Sequence, residues 1–348
     1  MSGELRDFGG ARLSALLARF GSLRIGVLGD FFLDKYLEVE PSLAESSLET
    51  GRVAHQVVAS RHSPGAAGTV AANLAALGTG KLFALGFAGD DGEGYELRAD
   101  LAALGVETAG LRVDPGRRTP TYLKPRDRDR PGLPGEHDRY DLKNRSPTGP
   151  ALEAAIVASL DELLPDLDAL VVMDQVEDEG FGVLTPAVTD AVVRRVAGFA
   201  GVAWADSRRR IRRFRGLTLK MNQFELAGID HPEPGALLDE REIARLLPEA
   251  ERDAGSLVFA TAGERGVWVG GPLRVPAIRV EGPVDPTGAG DSFTAGALLA
   301  LAAGASPLEA ALVGNLVASI TVRRLGETGT ARPEELFGAL ALWKEQNP

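Results

Sequence analysis

Short apolar runs at 25–28, 82–85, 169–173, 202–205 and 257–260 alternate with longer stretches of helical periodicity at 71–77, 95–104, 151–163 and 185–197. Each run has the length of a strand and lacks a polar face, as a strand covered on both sides requires. The alternation therefore predicts an α/β fold, a mostly parallel sheet with helices packed against it. Two segments break the rhythm. Residues 37–63 carry alternating stretches such as 52–60, and residues 111–147 are rich in Pro, Arg, Asp and Gly. Strand-like excursions that leave a core at two places can meet as a small β-strand lid, with 121–124 as one of its strands and 125–137 as a mobile loop. Leu13, Leu16, Leu17 and Phe20 recur at helical spacing, and the shortness of that stripe favours packing on the domain over a membrane surface.

Composition removes whole classes of function. With 49 acidic against 38 basic side chains and a formal charge of −11, a surface that tracks nucleic-acid phosphates is not expected. The absence of Cys excludes disulfide frameworks, thiolate zinc sites, iron–sulfur clusters and thiol nucleophiles, and His55, His62, His137 and His231 have no metal-ligand spacing. No stretch reaches the roughly 18 apolar residues of a membrane span, and the mixed-charge N-terminus has no signal-like apolar region. A soluble, cytoplasmic protein without a membrane partner is the expectation.

The chemistry concentrates in Val284-Asp285-Pro286-Thr287-Gly288-Ala289-Gly290-Asp291-Ser292-Phe293, followed by an apolar helical stretch. Small residues turning into a helix let backbone N–H groups converge on an anion, and the helix dipole adds partial positive charge. Asp291 in the first helical turn is placed to accept a proton from a hydroxyl attacking phosphorus, although acids also cap helices there. Other phosphate and metal signatures fail. Leu82 follows Lys81 where a P-loop needs Ser or Thr, and the 89–94 turn lacks the rest of a calcium loop.

The string from Asp285 to Phe293 closely resembles the C-terminal signature of the PfkB, or ribokinase-like, carbohydrate kinases. The resemblance extends over about 24–336 and implies a three-layer α/β/α sandwich, a single kinase domain over 1–348 with the lid of 37–63 and 111–147 inserted into it. It implies ATP and Mg²⁺ as cofactors, Asp291 as catalytic base and the backbone of Gly288, Ala289 and Gly290 as the anion hole. Asp285 and Thr287, with backbone near 322–326, correspond to a K⁺ site. Asn222 and Glu225 match the Asn-x-x-Glu pattern whose Glu organises Mg²⁺-bound water; Thr261, Gly263 and Gly266 match a nucleotide-contacting turn; Asn315 lies where a helix borders the adenine, or is simply a polar helix position. Towards the N-terminus, Asp34 corresponds to the acceptor of sugar hydroxyls, and Gly65 and Thr69 fall in the segment that opens a helix against the sugar. Here Ala66 replaces the family's second Gly and Thr69 its Asn. Asp30 reads as a cap or turn residue.

Within the family, three stretches resemble the heptose-7-phosphate kinase branch: Gly29-Asp30 with Asp34-Lys35-Tyr36, Thr119 to Lys124 followed by Arg139-Tyr140-Asp141, and Arg324-Leu325-Gly326. The acceptor implied is a sugar or sugar phosphate. Lys124 and Arg139 are candidate contacts for a phosphate on that sugar, or plain surface cations. Arg208, just past a predicted strand end, heads a run continuing through Arg209, Arg210, Arg212, Arg213 and Arg215, which reads as a solvated basic face or as a phosphate grip. A nucleoside kinase of the same fold and a non-catalytic sugar-binding relative remain alternatives, and the lid is a possible homodimer surface.

Overall fold

The computed structural model describes residues 3–130, 135–326 and 328–348. Its main sheet has ten strands. Five parallel strands form its centre, in the spatial order Thr218–Asn222, Val202–Ser207, Ala169–Asp174, Arg24–Gly29 and Lys81–Gly89. Val258–Thr261 adds a further parallel strand beyond Thr218–Asn222, and Val267–Trp268 and Arg274–Val275 complete that edge antiparallel.

Side-chain alternation along these strands explains why both faces are covered. Ile25, Val27, Val171, Met173 and Trp204 belong to one buried cluster, whereas Leu28, Leu170, Val172 and Ala205 belong to the other. Helices Gly10–Phe20, Ala67–Ala76, Ala289–Ala302, Pro307–Thr321 and Glu335–Gln346 seal the first cluster, and Pro150–Leu163, Pro186–Val196 and Glu240–Ala254 the second. Period-two strands that are apolar on both faces can be satisfied only in this way, and the result is the expected ribokinase-like α/β/α sandwich. Leu13, Leu16 and Phe20 point into the core, so the N-terminal stripe packs inward. No described helix is long and apolar enough to cross a membrane.

A second sheet stands off the first. Val57–Ala66 pairs antiparallel with Phe31–Val39, which runs parallel to Thr121–Asp127, and Tyr140–Leu142 closes the other edge antiparallel. This smaller sheet differs from the segments expected for a lid at two boundaries. It begins at Phe31 rather than near residue 37, because alternation runs unbroken through Phe32, Asp34, Tyr36 and Glu38. Leu111–Asp114 instead pairs with Lys81–Gly89 in the main sheet. Of the loop expected at 125–137, residues 125–127 continue a strand and Glu136 bridges back to Arg126, while 131–134 lie outside the described residues.

The parallel strands deliver Asp30, Asp174, Ser207, Asn222 and Thr261 to one edge of the sheet. Winding reverses direction between Arg24–Gly29 and Ala169–Asp174, and such a switch point leaves a crevice at the carboxyl ends of the strands. Asp30 occupies it. Its buried carboxylate accepts the N–H groups of Gln175, Val176 and Val183 at 2.8, 3.0 and 2.7 Å, so it stitches the loop after Asp174 onto the first strand. Asp30 is structural, as the reading of it as a cap or turn residue implied, but its partners are distant in sequence rather than local.

Candidate functional site

The turn leading into Ala289–Ala302 is held by Asp285. Its carboxylate accepts N–H from Thr287 at 3.0 Å and from Gly326 at 3.1 Å, while its own N–H donates to the Val322 carbonyl at 2.8 Å. Burial pushes the Asp285 carboxyl up, but hydrogen bonds from Thr287 and Gly326 outweigh it and hold the group below its ordinary value. Gly288 follows with φ of +76°, and a Cβ there would come within 2.5 Å of Thr328 Cγ2. Only glycine meets both demands. No side chain caps the helix that starts here; the Ala289 N–H donates to the Pro286 carbonyl at 3.1 Å, and the N–H groups of Gly290 and Asp291 are left for an anion.

Asp291 is not the cap; Gly288 is. Beneath Asp291 lies a cluster that sequence reading did not single out. Lys220 is buried on Thr218–Asn222 and donates Nζ–H to Asp206 Oδ2 at 2.8 Å, and Nζ lies 3.3 Å from the position a Cβ on Gly290 would take. A Lys between the apolar Leu219 and Met221 of a strand was the available signal, because a buried ammonium needs a carboxylate partner. Burial disfavours the Lys220 ammonium, yet the charges of Asp206 and Glu225 hold its pKa above the ordinary lysine value. Burial pushes Asp291 up to about 7, with Asp206 adding to the rise, Lys220 and Arg208 opposing it and Asp34 adding again. A carboxyl poised there can exchange a proton near neutral pH.

Asn222 and Glu225 first serve the backbone. Asn222 Oδ1 accepts N–H from Phe224 and Glu225, and Glu225 Oε2 accepts the Asn222 N–H at 2.7 Å, a reciprocal cap on Gln223–Ala227. Burial pushes Glu225 up, with Lys220 opposing. Thr261 donates its hydroxyl to the Met221 carbonyl, and Gly263 and Gly266 take φ of +56° and +91° in the turn that follows. Asn315 is buried rather than a polar surface position, its Nδ2 donating to the carbonyls of Val275 and Pro276 at 3.2 and 3.1 Å. It braces the 275–276 wall and stands apart from the Gly288 turn.

The smaller sheet supplies the opposite wall. Phe32, Asp34, Tyr36 and Glu38 share one face, with Tyr122, Lys124 and Arg126 opposite the last three in register. Asp34 is nearly buried, and its Oδ1 lies 2.9 Å from Lys124 Nζ but off the hydrogen-bond direction, which leaves that oxygen without a hydrogen bond. Gly65 makes room for it, since a Cβ there would sit 2.8 Å from Asp34 Oδ2. Thr69 approaches from Ala67–Ala76, its Cγ2 being 3.6 Å from the Cβ position of Gly288. Thr69 thus brings the acceptor wall beside the Gly288 turn, and the Asp34 charge adds to the proton affinity of Asp291. Arg139 lies further out, paired with Asp141 at 2.6 and 2.9 Å and stacked 4.3 Å from the centre of the Tyr122 ring.

Half of the Arg run is structural. Arg210 binds Asp174 and the carbonyls of Val176 and Glu177, Arg212 binds the Leu226 carbonyl, and Arg213 pairs with Glu179. Arg208 differs, donating Nε–H to the neutral Gln175 Oε1 at 3.0 Å.

Residues 36–166 and 201–334 match the model of the pfkB family carbohydrate kinases. The chain is 30% identical over 334 residues to the bifunctional protein HldE of Caulobacter vibrioides, which covers 90% of this chain and 63% of that protein, so the chain spans less than two thirds of the relative's length. Its fold is similar to that of phosphofructokinase-2 from Escherichia coli solved in complex with potassium, with a TM-score of 0.71, 19% identity and coverage of 92% and 99% of the two chains. The ribokinase of Arabidopsis thaliana complexed with ribose and ATP has a TM-score of 0.65 at 18% identity, with coverage of 91% and 98%.

Proposed function

The chain belongs to the PfkB family of carbohydrate kinases, phosphotransferases with an alcohol group as acceptor, and from that premise we propose that it transfers the γ-phosphoryl group of ATP to a hydroxyl of a sugar phosphate of the heptose-7-phosphate kind. The observation that carries this reading is Asp291, free of any capping role at a helix start without a side-chain cap, with Thr69 of the acceptor wall beside Gly288 and the Asp34 charge adding to the proton affinity of Asp291.

In this reading Asp34 takes hydrogen bonds from two sugar hydroxyls, Gly65 and Thr69 shape the floor beneath the ring, and Lys124 releases Asp34 as the sugar enters. Asp291 accepts the proton of the attacking hydroxyl. The backbone of the Gly288, Ala289 and Gly290 turn, through the N–H groups the helix start leaves free, receives the charge that builds on the transferred group, with Lys220 adding positive potential from below. The nucleotide lies along Asn222, Glu225, Thr261, Gly263 and Gly266, against the wall that Asn315 braces. These residues suit ATP because the glycine turn at Gly263 and Gly266 leaves backbone unobstructed and the Glu225 charge acts on Lys220, which lies beneath Gly290. Bound Mg²⁺ would neutralise phosphate charge there. Asp285 and Thr287, tied to 322–326, would seat K⁺.

The whole chain acts as one kinase unit in the cytoplasm, where ATP is supplied, with the smaller sheet as its lid. Val57–Ala66 is an edge strand with Val57 and Val58 exposed, and an open edge of this kind pairs readily with its own copy, which supports a homodimer through the lid. Light scattering on Val57→Lys tests that arrangement.

The deciding experiment is ADP release from ATP and Mg²⁺ across free sugars, sugar phosphates including heptose 7-phosphate, and nucleosides, with and without K⁺, beside Asp291→Asn. Turnover on sugar phosphates that is lost in the variant supports the reading. Turnover confined to nucleosides, or undiminished in Asp291→Asn, refutes it.

A further inference from the structure

Resting on the sugar-phosphate reading above, we infer that the cleft between Phe32, Tyr122 and the 175–181 loop seats the phosphate that the acceptor sugar already carries, with Arg208 and Lys143 as its cationic walls. The cleft has a volume of about 40 Å³ and is lined by these residues and Gln175. That is several times the space one water needs.

Its position follows from strand geometry. Phe32 lies two residues before Asp34 on the same face, and Tyr122 is the register partner of Asp34. Two residues along a strand span about 7 Å, the scale that separates the ends of a six- or seven-carbon sugar. An acceptor held through vicinal hydroxyls at Asp34 reaches the cleft with its far end while its near end meets Asp291.

Arg208 is the Arg of the run that lines the cleft, and its charge is available. Arg210 and Arg213 are neutralised by Asp174 and Glu179, whereas Arg208 is aimed by an uncharged amide and forms no ion pair among the described residues. Its terminal nitrogens keep the fork that suits two phosphate oxygens. Lys143 has a 3.7 Å contact with Asp141, a carboxylate already held by Arg139. The grip is also rigid: Gln175, which aims Arg208, has its N–H fixed on the buried Asp30 carboxylate.

Glu177 and Asp178 line the same cleft. Their charges oppose a diffusing anion, so the phosphate is held when the sugar bound at Asp34 delivers it, as tethering raises its local concentration. Inorganic phosphate alone is therefore a poor inhibitor, with half-inhibition only in the millimolar range or above.

The test compares kcat/KM for a phosphorylated acceptor with that for the same sugar lacking the phosphate, heptose 7-phosphate and heptose being the first pair. The parent enzyme prefers the phosphorylated acceptor. Arg208→Gln and Lys143→Gln each cut that preference about 10- to 100-fold, mainly through KM of the acceptor, with KM for ATP unchanged. Thermal unfolding of each variant checks that the fold is intact. A parent enzyme without preference refutes the sugar-phosphate reading and this site with it. A parent preference that survives both substitutions refutes the site alone. Equal loss on both acceptors places Arg208 at the transferred phosphoryl group and likewise overturns the assignment.

Discussion

Asp206 and Lys220 face each other in register on neighbouring strands, and the Lys220 ammonium donates to the Asp206 carboxylate across 2.8 Å directly beneath Gly290. A buried ion pair gains little net stability, because desolvation offsets most of the attraction. Its consequence here is electrostatic: the two partners push the proton affinity of Asp291 in opposite directions.

The pH profile reads that opposition. Asp291 must be ionised to accept a proton, so kcat/KM rises with pH through an apparent pKa near the folded value of about 7. Asp206→Asn removes a charge that raises Asp291, and the acid limb moves to lower pH. Lys220→Met removes a charge that lowers it, and the limb moves to higher pH. Shifts in the same direction would contradict this electrostatic account.

Asp291→Asn separates activity from stability. Turnover falls by about 10²- to 10⁴-fold, the range for a lost general base, while ATP still binds. A carboxyl whose folded pKa is raised to about 7 from 3.8 destabilises the fold when ionised. That cost sets in above about pH 4 and is complete above about pH 7. The variant therefore melts higher than the parent, by about 2 °C or more at pH 8, and the two converge as pH falls to 4. Calorimetry at both pH values checks it, and a lower melting temperature at pH 8 would refute the stability argument.

Much of this architecture is legible in the chain because burial on two faces leaves so few solutions. Uninterrupted apolar runs such as 169–173 named their strands, and the Gly288 turn named the place where an anion binds. Long-range pairing was not legible. Asp206 and Lys220 are 14 residues apart with nothing local to couple them, and only the parallel register makes them partners. The partners of the Arg run were hidden in the same way, since Arg210 and Arg213 find Asp174 at a strand end and Glu179 on the loop after it. The start of the smaller sheet was hidden because Phe31 to Leu33 is apolar enough to pass for core.

Gly65 tests the acceptor wall without touching the nucleotide side. A Cβ at this position would sit 2.8 Å from Asp34 Oδ2 and 3.2 Å from its carboxyl carbon, so Gly65→Ala must turn the carboxylate. KM for the acceptor rises about 10-fold or more, the effect of misplacing a charged hydrogen-bond acceptor, with KM for ATP unchanged. Asp34→Asn gives the same pattern through lost charge rather than lost position. A Gly65→Ala enzyme with parental acceptor KM would show that Asp34 does not orient the sugar.

Ala66, the hinge between the smaller sheet and Ala67–Ala76, has φ of +55° and ψ of −116°, and it is the single described non-glycine residue with positive φ. A Cβ makes that conformation costly, by about 1–3 kcal/mol. Glycine would relieve the strain and lose about 0.5–1 kcal/mol through its freer unfolded chain. Ala66→Gly is therefore expected to stabilise the protein by about 1 kcal/mol, visible as a melting temperature higher by about 2 °C. Strain held at a hinge also biases the angle at which the smaller sheet leaves the core, so the same variant should change KM for the acceptor more than KM for ATP. A lower melting temperature would mean that the surrounding contacts, Phe31 opposite in register and the Asp30 carbonyl accepting the next N–H, hold Ala66 there without strain.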